Sequence, residues 1–141
     1  MNAPEETLLE GVHSSMAIRR PAPGVIVLAI NGADIGELGE RPFRELGKDV
    51  ESPGLLQLFV DARAASGPSI EVSGRWASWL GTHQTRFEQI TMLPGSRFVQ
   101  ITAGFVRDFS GLGDRMRILT DPAAFDEALT RACTAARLVG A

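Results

Sequence analysis

The sequence predicts an α/β domain: a four- or five-stranded, mostly parallel sheet flanked by four helices, in the order β-β-α-β-α-β-α-β-α. Three observations predict it. Two runs, VIVLAI (residues 25–30) and LLQLFV (residues 55–60), are apolar on both faces, and strands of that kind belong to a sheet covered on both sides. Segments of helical period alternate with such short β-branched runs, the pattern of crossover units. Proline and glycine clusters fall between them, where the chain must turn.

Residues 1–13 read as a loose, flexible polar leader, and residues 14–141 as one domain. SSMAIRR (14–20) is a candidate edge strand, broken by Pro21-Ala22-Pro23-Gly24, and VIVLAI is its partner, stopped by Asn31-Gly32. A glycine-spaced loop over 34–39 leads to a helix over 41–50, with Pro42 near its start and Phe43, Leu46 and Val50 on one face. Ser52-Pro53-Gly54 ends that helix. LLQLFV follows, with Asp61 at its carboxyl end.

The next helix is expected over 72–87, with Val72, Trp76, Trp79, Leu80, His83 and Phe87 on one stripe. A strand over 89–93 is closed by Pro94-Gly95. Ser96 can cap a helix running to 110 with Phe98, Ile101, Thr102, Phe105 and Phe109 on one apolar face, although β-branched residues over 98–103 also fit a strand. Gly111-Leu112-Gly113 ends the element either way. A short strand over 116–119 precedes the last helix, which Asp121 caps and Pro122 begins. Its buried stripe is Phe125, Ala128, Leu129, Ala132, Cys133 and Ala136.

Composition narrows the function classes. The chain has 141 residues, 44% apolar and 22% charged, which suits one globular core without disulfide or metal. A net charge of −3 gives no electrostatic reason to expect nucleic acid or an anionic membrane as partner. The single cysteine, Cys133, allows no intramolecular disulfide and fits a reducing compartment. No apolar run is long enough to span a membrane, and the amino terminus lacks the basic and apolar regions of a signal peptide. A cytoplasmic protein is expected. With two histidines and one cysteine at no metal-ligand spacing, neither a metal nor another cofactor is expected.

Four stretches carry a family resemblance: VIVLAINGADI (25–35), LLQLFVDAR (55–63), EVSGRWASWL (71–80) and DPAAFDEAL (121–129). On these the chain resembles a STAS-type domain, the fold of bacterial anti-sigma factor antagonists. More narrowly, it is similar to the SpoIIAA-like (STAS/SEC14) proteins. The resemblance implies a non-enzymatic signalling module with a protein partner, such as a regulatory kinase or an anti-sigma factor. In such antagonists a helix opens with Asp-Ser-Ser/Thr-Gly and the second hydroxyl is phosphorylated. Ser73-Gly74 matches the end of that motif, while Glu71 and Val72 stand where the family has Asp and the first Ser. The SEC14 side of the resemblance implies an alternative, a module for a small apolar ligand or lipid.

The candidate partner-binding and phosphorylation residues are Ser73, Gly74, Glu71, Asp61, Arg63 and Asp34. Each has a plainer role. Ser73 can simply cap the helix, Gly74 can loosen its first turn, and Glu71 can complement its dipole. Asp61 can pair with Arg63 or Arg75. Trp76, Trp79 and Phe105 are the candidate ligand-lining residues, and the same side chains can be ordinary core. His83 is ten residues beyond Ser73, about 15 Å along a continuous helix, so the two cannot form a catalytic dyad. Apolar strand and helix faces would permit a homodimer.

Overall fold

The computed structural model describes residues 6–140. They form one six-stranded sheet in the order β1-β2-β3-β4-β5-β6, with four α-helices. The strands are β1 (Glu6–Glu10), β2 (Ser14–Ala22), β3 (Val25–Gly32), β4 (Leu56–Ala65), β5 (Phe87–Pro94) and β6 (Met116–Ile118). The helices are α1 (Arg41–Glu51), α2 (Ile70–Thr82), α3 (Arg97–Ser110) and α4 (Pro122–Gly140). The α/β class and the four helices agree with the expectation.

Strand number and direction differ from it. The sheet is mixed: β1–β2 and β2–β3 are antiparallel, and β3–β4, β4–β5 and β5–β6 are parallel. The additional strand, β1, lies inside the expected leader, whose residues 1–5 fall outside the described residues. ETLLE is short and mostly polar, so it has no strand signal of its own. It is held by the β2 edge, with Leu9 opposite Met16 and Thr7 opposite Ile18.

Sequential strand order explains the layering. Right-handed parallel crossovers between neighbouring strands taken in one direction place their helices on one face. Accordingly α1, α2 and α3 share a core with Met16, Ile18, Ile26, Leu28, Leu58 and Ile90. The opposite face is covered by α4, through Phe125, Ala132 and Cys133 against Val25, Val27, Phe59 and Leu93. This is why VIVLAI and LLQLFV are apolar on both faces.

Three other expectations change. The second helix ends at Thr82, followed by a single 3-10 turn over Gln84–Arg86, so Phe87 opens β5. β4 continues past Asp61 to Ala65, so Asp61 lies within the strand. Residues 97–110 are helical and capped by Ser96, not the alternative strand, but α3 is rotated relative to expectation. It buries Val99, Ala103, Val106 and Ser110 and leaves Phe98, Ile101 and Phe109 59%, 63% and 77% exposed. Two apolar stripes compete on this helix. The smaller side chains take the sheet side, where α3 also runs close to α2: a Cβ on Gly81 would lie 3.2 Å from the Ser110 carbonyl oxygen.

Candidate partner-binding site

The carboxyl ends of β3 and β4 bring two loops together. The Asp34 carbonyl accepts a hydrogen bond from the Ser69 N–H at 3.0 Å, and the Gly32 carbonyl accepts from the Ser66 N–H at 2.9 Å. Asp34 is 7% exposed, and its Oδ1 accepts from the Gly36 N–H at 2.9 Å, which folds its own loop. The Asp34 loop and the start of α2 therefore form one surface. Ile35 and Ile70, each one residue beyond that 3.0 Å bond, are 59% and 91% exposed.

The helix start itself lies earlier than the sequence implied. Ser69 is the N-cap of α2, its side-chain oxygen accepting from the Val72 N–H at 3.2 Å. Ser73 is one turn further in and 5% exposed, and its hydroxyl donates to the Ser69 carbonyl at 3.0 Å. Ser73 is thus not the cap. Glu71 is exposed in the first turn, where its charge complements the dipole. Gly74 is exposed, and a Cβ there would meet nothing within 4 Å. Ser69→Ala should cost about 1 kcal/mol in urea unfolding. Ser73→Ala should change stability by less than about 0.5 kcal/mol, because alanine's helix propensity offsets a back-bonded hydroxyl. The reverse ranking would return the cap to Ser73.

Asp61 and Arg63 sit on the other side of the sheet. Leu58 and Val60 belong to the core shared with α1–α3, so strand alternation sends Phe59, Asp61 and Arg63 towards α4. Arg63 donates to Asp61 at 3.0 Å and to Asp126 of α4 at 3.0 Å, and its guanidinium lies 5.9 Å from the Phe125 ring centroid. The two carboxylates hold Arg63 protonated well above the ordinary range, by accepting its hydrogen bonds, Asp61 first and Asp126 second. The pair ties β4 to α4. Arg75 pairs with Glu40, not Asp61.

The tryptophans join α2 to α1. The Phe43 ring lies 4.6 Å from Trp76 and 5.8 Å from Trp79. His83 closes α2 at its C-cap, its ring tilted against Trp79 with centroids 4.7 Å apart. An apolar cavity of about 90 Å³ lies between the sheet and α2–α3, lined by Leu28, Val60, Ile90, Val72, Trp76 and Ala103, with Asp34 and Ser73 among its few polar groups. Of the three expected lining residues, Trp76 faces it. Trp79 does not, and Phe105 packs on Phe109 at 4.4 Å. The helix rotation that separates Phe105 from the cavity cannot be read from periodicity when two apolar stripes coexist.

One ionic feature escaped sequence reasoning because its parts are far apart in the chain. Glu37 accepts from the His13 N–H at 2.9 Å and from the Ser14 hydroxyl at 3.2 Å, clipping the β1–β2 turn. Gly11 makes room, since a Cβ there would lie 2.4 Å from the Glu37 carboxylate. The His13 backbone bond chiefly lowers the Glu37 pKa below its ordinary 4.5, against desolvation. A depressed carboxylate stabilises the fold above its unfolded pKa and loses that contribution as pH falls through the folded value. Glu37→Gln should therefore be less stable than the parent at pH 7, with the gap closing as pH falls below the ordinary carboxylate value of 4.5. A gap independent of pH would sink this assignment.

Cys133 is buried against the sheet, and desolvation pushes its thiol up, which keeps it protonated and unreactive. Among the described residues no three His, Cys, Asp or Glu side chains come together to hold a metal. No described helix is long and apolar enough to cross a membrane.

No family model matches the sequence, and no curated protein does. Solved structures do match. An uncharacterized protein of the DUF3478 family from Shewanella loihica PV-4, described as having a SpoIIAA-like fold, superposes with a TM-score of 0.62 at 12% identity, over 85% of this chain and 97% of that one. The anti-sigma factor antagonist SpoIIAA in its unphosphorylated form superposes with a TM-score of 0.58 at 16% identity, over 80% of this chain and 95% of that one. With this strand order and these superpositions, the chain has the SpoIIAA-like fold of STAS-type domains.

Proposed function

We propose that the protein is a non-enzymatic regulatory module that binds a protein partner through the surface made by the Asp34 loop and the start of α2. One observation carries the reading: Ile35 and Ile70, two large apolar side chains left in water, flank the hydrogen bond that joins these loops. Exposed apolar groups on a rigid rim suit a protein interface. The likeness to an anti-sigma factor antagonist supports the class of partner, an anti-sigma factor or regulatory kinase in the cytoplasm. Asp61 and Arg63 lie on the other face of the sheet and are outside the proposed surface.

Phosphorylation of Ser73 would be the switch of this reading. It requires the first turn of α2 to open, because the hydroxyl is bonded to the Ser69 carbonyl. The phosphate would then add about −1.5 to −2 charges beside the apolar rim and Glu71.

The test is affinity capture from the native host with phosphosite mapping. A partner held by the parent should be lost with Ile35→Glu and Ile70→Glu and kept with Leu55→Glu, an exposed residue just before β4. Equal capture by all variants would rule out this surface. Absence of phosphate from Ser73 under several growth conditions would remove the switch and leave the interface.

The cavity favours a second reading, a small apolar ligand. Its lining chemistry fits, but about 90 Å³ is smaller than the roughly 150 Å³ that accepts benzene and far below the ~300–1,000 Å³ of ordinary ligand pockets. A lipid chain would need α2 and α3 to part. Ala103→Leu fills the cavity; if the protein from its host carries an extractable apolar molecule, that variant should lose it.

A further inference from the structure

We infer that the outer face of α3 is a self-association surface, on which a second copy packs its own α3 antiparallel. The stripe Phe98, Ile101, Phe105 and Phe109 runs the length of the helix, and three of its members are more than half exposed. An antiparallel pair places Phe98 of one copy against Phe109 of the other, with Phe105 near the crossing. The arrangement is self-complementary, as a two-fold interface requires.

The charges say what covers the stripe. Arg97 is the first residue of α3 and Asp108 lies in its last turn. Each sits at the end of the helix dipole that disfavours it. Both lie on the same flank of the Phe stripe, given 100° per residue. In an antiparallel pair each therefore meets its opposite: Arg97 reaches the second copy's Asp108 and the negative end of its helix, twice by symmetry. In the single chain Asp108 is 76% exposed and reaches Arg107 only at 3.9 Å. A membrane explains the charges less well, since this flank has one cation balanced by one anion and the chain carries −3 overall.

The stripe presents on the order of 400 Å² of apolar surface per copy, so a pair buries roughly 800 Å², below the standard size for stable complexes. The dimer should therefore be weak and concentration-dependent. Sedimentation velocity from about 5 to 500 µM should show the mass rising from one copy towards two. Phe109→Ser, at an exposed position, should stay monomeric. Asp108→Arg should weaken association roughly tenfold, and Arg97→Asp with Asp108→Arg should restore it. A parent monomeric at the highest concentration, or a dimer untouched by Phe109→Ser, overturns the inference. So does binding of the parent, but not Phe109→Ser, to phosphatidylcholine vesicles without dimerisation, which would assign the stripe to a bilayer. Circular dichroism checks that each variant keeps the fold.

Discussion

Phe125→Ala should lower the stability of the domain by about 3–5 kcal/mol, the range for removing a buried phenyl ring without collapse of the site. Phe125 is 1% exposed and meets Phe59 edge to face at 5.8 Å. It is the largest side chain that α4 commits to its face of the sheet, and the rest of the α4 stripe is made of Ala, Leu and Cys. Arg63 lies over the same ring and holds Asp126, so the substitution also loosens the ionic link from β4 to α4. Chemical denaturation measures the loss, and hydrogen exchange locates it: amides of α4 should lose protection before those of α2. Phe125→Leu should recover part of the stability. A loss below about 1 kcal/mol would mean that α4 contributes little to the fold.

The second large effect is expected at Gly32. Its φ is +79°, a region that side chains enter at a cost of about 1–2 kcal/mol. A Cβ would also stand 2.2 Å from the His13 carbonyl oxygen. That oxygen accepts the Ala33 N–H at 3.1 Å, so the clash cannot relax without breaking the join between β2 and β3. Gly32→Ala should therefore cost at least about 2 kcal/mol, and more than Gly36→Ala. Gly36 also has positive φ, +104°, but a Cβ there meets nothing within 4 Å. Equal losses at the two positions would show that conformation alone, and not contact, sets the cost at Gly32.

These predictions rest on features of different legibility. The two strands apolar on both faces, the proline and glycine breaks and the capping serine and aspartate of α3 and α4 are local signals. Each acts within a few residues, through propensity or a cap; the caps appear where they were expected, while β2 and β3 run on through Pro21-Ala22 and Asn31-Gly32. The β1 strand was not legible, because ETLLE becomes a strand only by pairing with the β2 edge. The Ser69 cap was obscured for another reason. Ser69 and Ser73 are four residues apart, so both suit one helix start, and the choice between them came from the bond of the Ser69 N–H to the Asp34 carbonyl.

The candidate site divides along the same line. Periodicity and turn signals place Asp34 just after one strand, Asp61 at the end of the next and Ser73 at the start of the helix that follows. Packing of the helices on the sheet sets the faces: Asp34 and Ser73 share one, while Asp61 and Arg63 serve the other. A strand turns its side chains over at every residue, so a five-residue error in where β4 ends hides which face each one takes. Helix α3 shows the same limit. Its residues specified two apolar stripes, and packing against the sheet chose the one with smaller side chains, leaving the phenylalanines outside.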